Sequence, residues 1–276
     1  MKWCCRGTVF DLAKQGEIMG ILNVTPDSFS DGGRYETQAT ALAQAERMLS
    51  EGAAILDVGG ESTRPGAEDV PEEEETRRVV PVIAEIRERF PRAAVSVDTS
   101  KPAVARRALE AGAHIINDVT GFRDPEMIEA AAEYDAGCVV MHMQGTPRTM
   151  QQSPSYENVV REIADFFRER LASMQSAGIA PEAIVFDPGI GFGKSFDHNL
   201  ALLNHLEELE IEGRPLLLGV SRKSFLGKLI DSDAPEERDW PTAAVTSLAV
   251  EKGVLLHRVH AVGPNREAMR MTEAMR

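Results

Sequence analysis

Eight short apolar runs recur along the chain, at residues 18–22, 53–58, 93–97, 113–119, 137–141, 183–186, 216–220 and 254–259. Each is four to seven residues long, as expected of a strand buried on both faces, which needs no polar alternation. Between the runs the apolar residues take helical spacing. Leu42, Ala45, Met48 and Leu49 form one stripe, Val79, Ile83 and Ile86 a second, and Val159, Ile163, Phe166, Phe167 and Leu171 a third. Pro102 behind Ser100 and Pro125 behind Asp124 read as first-turn prolines following N-caps. Gly52, Gly112, Gly178 and Gly253 stand where helices should stop before the next strand. This alternation, with no linker or low-complexity tract, predicts one domain over residues 1–276, an α/β chain closed into a single (β/α)8 TIM barrel. A doubly wound sheet fits less well. The loop after the first run reads Asn23, Val24, Thr25, Pro26, Asp27 and carries no glycine fingerprint.

Composition narrows the partners. A net charge of -14 opposes non-specific binding to nucleic acid or to an anionic membrane surface. A local cluster of cations can still hold a phosphate against a distant acidic exterior, and the acidic run at 72–75 reads as a solvated face. Cys4, Cys5 and Cys138 cannot build a disulfide framework and read as reduced thiols. No stretch reaches membrane-spanning length, and the start of the chain lacks an apolar segment fit for a signal peptide, so the cytoplasm is the expected compartment.

A barrel enzyme gathers its chemistry at the carboxyl ends of the strands. Those ends carry Asn23, Asp57, Asp98, Asn117, His142, Asp187, then Ser221 with Lys223, and Arg258 with His260. A helix cap accounts for any one of them; eight in register are hard to assign to capping alone. Asp98, Asn117, Asp187 and Lys223 suit a flat heterocycle with a donor edge and a carbonyl, because a carboxylate pairs with N–H and NH2 through two parallel hydrogen bonds. Asn23, Arg64, Arg258 and His260 suit an anion such as diphosphate. Two long loops, 25–33 and 59–66, are rich in Gly, Pro, Ser and Asp and read as lids. The stretch 189–195 resembles a Walker A loop, but Pro188 stands where that pattern needs glycine. Its glycines should allow close backbone approach beside a ligand, with Phe192 as an apolar wall. No metal-binding signature is present, and His198 and His205 read as surface residues of a helix.

Two stretches, MGILNVTPDSFSDGG at 19–33 and DVGGESTRPGA at 57–67, resemble the paired loops of the dihydropteroate synthases. SVDT at 96–99, IND at 116–118, MHMQG at 141–145, DPGIGFGK at 187–194 and GVSRKS at 219–224 resemble the rest of that family's set, in its order. The resemblance runs from about residue 17 to about 262. It implies a folate-biosynthetic transferase, the target of sulfonamides, that joins a 6-hydroxymethyl-7,8-dihydropterin diphosphate to p-aminobenzoate with release of diphosphate. By the same resemblance Asp187 would hold the pterin N3 and 2-amino group, Asn117 and Asp98 the other ring nitrogens, and Lys223 the 4-oxo side, with Met141 against the ring. Asn23 would reach a Mg2+-diphosphate that Arg64, Arg258 and His260 also clamp. Thr63, Pro65, Phe192, Ser221 and Lys223 would surround p-aminobenzoate. A homodimer is expected on the same ground.

The chain departs from the family at two places. Ala261 follows Arg258, Val259 and His260 where an acid is usual, and Pro241 precedes Thr242 where glycine is usual. The first should loosen the support of His260, the second should alter a helix start. The competing functions are a methyltetrahydrofolate-corrinoid methyltransferase, which has no need of the loop at 62–66 or of the Ser221, Arg222, Lys223 motif, and a pterin-binding relative without activity, which should have lost one of the two loops.

Overall fold

Strands with both faces buried can satisfy their backbones and hide their side chains by closing on themselves inside a ring of helices. The computed structural model describes residues 1–25, 34–62, 67, 69–146 and 148–276, the side chains of 34–37 aside. Among these residues the chain opens with a hairpin, β1 (Lys2–Cys5) and β2 (Thr8–Asp11), and then alternates. The order is β3 (Glu17–Asn23), α1 (Arg34–Ser50), β4 (Ile55–Gly59), α2 (Glu72–Arg89), β5 (Ala94–Asp98), α3 (Pro102–Glu110), β6 (Ile115–Asp118) and α4 (Pro125–Glu133). There follow β7 (Gly137–Met141), α5 (Val159–Ser176), β8 (Ile184–Asp187), α6 (Phe196–Asn204) and β9 (Leu217–Leu218). The chain ends with α7 (Ser224–Ile230), α8 (Asp239–Glu251), β10 (Leu256–Val259) and α9 (Val262–Met275).

The eight strands β3 to β10 lie parallel in the order β8-β7-β6-β5-β4-β3-β10-β9. A parallel bridge from Phe186 to Leu216, with Phe186 N donating to Pro215 O at 3.0 Å, joins the two ends into a barrel. The expected fold class is therefore the observed one, and each of the eight apolar runs contains a strand.

The hairpin was not legible in the apolar pattern, and it decides which end of the barrel is open. Trp3, Cys5, Phe10 and Leu12 pack against Met19, Ile55, Ala94, Ile115, Val139, Val185, Leu217 and Leu256, one side chain from each barrel strand. Trp3 is fully buried and its indole N–H donates to Ala183 O at 2.9 Å. Truncating a plug of this size to alanine costs about 3–5 kcal/mol. With the amino-terminal mouth sealed, a ligand has only the carboxyl ends to use. Burial also pushes the Cys5 and Cys138 thiols up, which keeps them unreactive.

Local rules account for the helix ends. Gly52, Gly112, Gly178 and Gly253 take φ of 99°, 105°, 92° and 87°, the left-handed conformation that stops a helix. Asp124 caps α4 by accepting from Glu126 N at 2.9 Å. Ser100 does not cap α3. Lys101 occupies that position and spends its side chain on Glu61 and Glu75. Pro241 sits in the first turn of α8, where the missing N–H has no intrahelical partner to lose. No helix of the described residues is long and apolar enough to cross a membrane.

Candidate active site

Strand register sets Asn23, Gly59, Asp98 and Asn117 side by side across β3, β4, β5 and β6, and Met141 beside Asp187 across β7 and β8. Asp57 lies two residues below Gly59 and is fully buried; Asp98, Asn117 and Asp187 are nearly so. Arg258, reaching across from β10, donates through Nε to Asp57 Oδ2 at 2.6 Å and through Nη2 to Asp98 Oδ2 at 2.5 Å. Asn117 Nδ2 donates to the same Asp57 oxygen at 3.1 Å. The other oxygens, Asp57 Oδ1 and Asp98 Oδ1, are buried and without a hydrogen-bond partner among the described residues. An orphaned buried acceptor costs about 1–3 kcal/mol, more if charged. The floor is thus held in a state that an incoming donor would relieve.

Asp187 adds a third carboxylate. Its Oδ1 accepts from Gly189 N at 2.7 Å. On the side of Oδ2 stands Gly219, where a Cβ would come within 3.5 Å of that oxygen. Burial raises the Asp187 carboxyl, with Lys223 pulling the other way. Burial, aided by Asp57, Glu75 and Asp118, pushes Asp98 up to about 7 against the pull of Arg258. Arg258 itself, in spite of burial, is held above its usual range by the two aspartates and stays charged. Burial lowers Lys223 to about 8, with Asp187 opposing.

Above the floor, Val119, Met141, Met143 and Met150 form an apolar patch with Phe192 packed on it. Lys223 Nζ lies 4.5 Å from the Phe192 ring centroid and donates to Ile190 O. Three buried acceptors, an amide, a lysine and an apolar wall suit a flat ligand with N–H groups along one edge. Ser221 Oγ lies 3.0 Å from His260 Nδ1 and accepts from His260 N at 3.0 Å, so the two residues orient each other at the rim. Between Ser221 and Lys223 the backbone is strained. Arg222 has φ of 57°, a conformation that costs a non-glycine residue about 1–2 kcal/mol. A bidentate pair to Asp239 at 2.7 and 2.9 Å holds it there.

The structure therefore brings Asp98, Asn117, Met141, Asp187, Phe192, Lys223 and Arg258 to one mouth, with Ser221 and His260 beside Arg258 on the rim. Asn23 joins them: a Cβ at Gly59 would lie 3.7 Å from Asn23 Oδ1 and 3.8 Å from Asp98 Oδ2. Thr63, Arg64 and Pro65 lie outside the described residues, as do 26–33 of the first expected lid and Gly66 at the end of the second. Arg258 was expected on an anion and is found bridging two carboxylates. The close approach that the glycines of 189–193 give is to the protein itself, at the carbonyl of His142, at Gln144 and at the Lys223 stem, rather than to a ligand. His205 is exposed as expected, whereas His198 is half-buried in a capping box with Ser195. Ala261 is the N-cap of α9 and supplies no side-chain hydrogen bond there, while His260 keeps its Ser221 partner.

Two residues of this region are not marked by the sequence: Asp57, which reads only as a strand end, and Lys194, which lies in a stretch that fails as a nucleotide motif. The available signal for Lys194 was a lone cation inside a glycine and aromatic stretch.

Comparison with known proteins agrees with this geometry. Residues 19–260 match the family model of the pterin binding enzymes. The chain is 48% identical to the dihydropteroate synthase of Escherichia coli (strain K12) over 274 residues, 99% of this chain and 96% of that one. It is 43% identical to the dihydropteroate synthase of Synechocystis sp. over 269 residues, 97% and 93% of the two chains. Among solved structures it is similar to the Yersinia pestis dihydropteroate synthase with a sulfonamide drug complex, with a TM-score of 0.93 and 46% identity over 100% of this chain and 99% of that chain. The Xanthomonas albilineans dihydropteroate synthase in complex with 7,8-dihydropteroate gives a TM-score of 0.90 at 41% identity, over 100% and 98%.

Proposed function

Since the chain belongs to the pterin binding enzymes, among the dihydropteroate synthases, we propose how its own residues carry out that family's reaction. The enzyme condenses 6-hydroxymethyl-7,8-dihydropterin diphosphate with p-aminobenzoate to give 7,8-dihydropteroate and diphosphate. The observation that carries the assignment of roles is the pair of orphaned acceptors on Asp57 and Asp98 beside the Asp187 carboxylate. They would take up ring N–H groups of the pterin, with Asp187 on N3 and the 2-amino group, Asn117 and Asp98 on the other ring nitrogens, and Lys223 on the 4-oxo side. Met141 would lie against the ring. Phe192, Lys223 and Ser221, with Thr63 and Pro65, would form the arylamine pocket.

The donor set fits a magnesium ion that arrives on the diphosphate. Asn23 Oδ1 is the protein ligand it would find, and among the described residues no three His, Cys, Asp or Glu side chains converge to cage an ion. Bound there, it would offset charge on the leaving group. Arg64, Arg258 and His260 would do the same from the protein side. The Arg258 guanidinium, anchored on Asp57 and Asp98, brings a fixed positive charge to the mouth without reorganising. In the reaction the C–O bond between the pterin methylene and diphosphate breaks, the aniline nitrogen attacks that carbon, and the resulting ammonium gives its proton to solvent. An aniline nitrogen is already nucleophilic at neutral pH, so positioning and charge carry the rate without a strong base.

A homodimer is part of the same proposal. It is supported by an apolar face on α8 and α9, where Trp240 and Leu248, eight residues apart, are 76% and 64% exposed, and Met271 and Met275 are 61% and 72% exposed. The cytoplasm is the proposed compartment, which suits three free thiols.

The test is to mix the purified protein with the pterin diphosphate, p-aminobenzoate and Mg2+, and to assay dihydropteroate and released diphosphate. Pterin binding without either product would favour an inactive pterin-binding relative.

A further inference from the structure

Four consecutive carbonyls in the loop after β8 each accept a hydrogen bond from a different side chain. Ile190 O accepts from Lys223 Nζ, Gly191 O from Gln151 Nε2 at 2.7 Å, Phe192 O from Lys194 Nζ at 2.9 Å, and Gly193 O from the Tyr156 hydroxyl at 2.8 Å. Left-handed glycines at 189, 191 and 193, with φ of 63°, 82° and 62°, make the arrangement possible. From the other side, Gly191 N donates to Asn199 Oδ1 at 2.8 Å. A surface loop leaves such carbonyls to water; here all four are taken by side chains.

Lys194 is the unusual member. It is 3% exposed and makes no ion pair among the described residues. Three acceptors surround its Nζ, Phe192 O, His142 Nδ1 at 3.1 Å and His142 O at 3.3 Å, and burial, with Lys223 adding to it, holds its pKa well below the ordinary lysine value. His142 is locked in turn by the edge of Phe166, with ring centroids 5.1 Å apart, and by Tyr156 at 6.1 Å. Burial, with Lys194 adding to it, pushes His142 down to about 2, so the ring is neutral and can accept at Nδ1. Burying an amine without a carboxylate carries a desolvation cost, in either protonation state, that a methionine of similar length would avoid. The lysine joins the loop after β7 to the backbone of the residue whose ring faces the site.

We propose that Lys194 is a positioning residue for the arylamine pocket. It clamps the Phe192 main chain to the His142 loop and so fixes the Phe192 ring under Lys223. The inference rests on the reading that Phe192 lines that pocket. None of the Lys194 hydrogen bonds touches Asp57, Asp98, Asn117 or the Asp187 side chain, and it reaches Asp187 only electrostatically, so its loss should move the pterin floor less than the arylamine pocket.

Steady-state kinetics with the full chain test this. Lys194→Met should raise KM for p-aminobenzoate at least tenfold, while the affinity for the pterin diphosphate, read by calorimetry, changes several-fold less than that. A merely structural lysine would instead lower the active fraction, and so the apparent kcat, with both affinities unmoved; that result overturns the proposal. Phe192→Ala separates the two ideas. If it leaves the p-aminobenzoate KM unchanged, the reading of Phe192 is at fault; if it raises KM and Lys194→Met does not, the positioning role is. Should Lys194→Met fail to fold, Tyr156→Phe combined with Gln151→Ala removes two of the four loop donors and should raise the same KM several-fold. No change there would equally sink the idea.

Discussion

In the free protein one oxygen of Asp187 accepts from the Gly189 amide at 2.7 Å, and the other lies toward Gly219. Asp187→Asn keeps an acceptor for Gly189 and the shape of the side chain, but places an NH2 where the second oxygen stood. A donor would then face the donors proposed for the pterin edge. A hydrogen bond to a charged group contributes about 1.5–3 kcal/mol, and each 1.4 kcal/mol is about tenfold in affinity, so pterin-diphosphate binding should weaken about 10- to 150-fold. Stability should move the other way. Burial holds the Asp187 carboxyl above its ordinary value of 3.8. Between that value and the raised one the folded protein binds more protons than the unfolded chain, so this group's contribution to stability falls as pH rises through the window and stays low above it. Asn has no proton to lose. The ligand-free variant should therefore melt at or above the parent at neutral pH and lack this part of the pH slope. Calorimetric titration and thermal melts read the two effects separately. Unchanged affinity would remove Asp187 from the pterin contact, and weakened binding with a lower Tm would make the carboxylate structural and the binding loss indirect.

Chelation of Mg2+ should abolish turnover and leave the thermal melt unchanged; tight stoichiometric Mg2+ binding by the free protein would contradict an ion carried on the substrate. Ala261→Asp should add no cap to α9, because the amide it would take, Gly263 N, already donates to Glu51 Oε2 at 3.2 Å and the next residue, Pro264, has no N–H. Glu51→Ala should instead cost about 0.5–2 kcal/mol, seen as a lower denaturation midpoint, and an unchanged midpoint would mean that Glu51 does not cap the helix. Trp240→Glu with Leu248→Glu should give monomers in sedimentation velocity, and an intact dimer would place the interface elsewhere.

The eight barrel strands, the closed parallel barrel and the mouth that carries the chemistry could be read from the chain before any coordinates. Buried strands and amphipathic helices write their period into neighbouring residues, and a strand end is a local feature. Asp98, Asn117 and Asp187 could be picked out for the same reason. The seal at the opposite mouth could not, because Trp3 and Phe10 in two four-residue strands carry no period long enough to recognise. Nor could the bond from Arg258 to Asp57, residues 201 apart that meet only because the barrel closes. Closure brings one guanidinium to two carboxylates, and two of its three nitrogens satisfy one oxygen of each. Which oxygens stay orphaned is a question of distance and angle in three dimensions. Lys194 takes its role for the same reason: only when the loops after β7 and β8 fold against each other do the acceptors of its buried amine come together. Residue types told what chemistry was available at each strand end; the packed barrel decided which groups neutralise one another and which remain for a ligand.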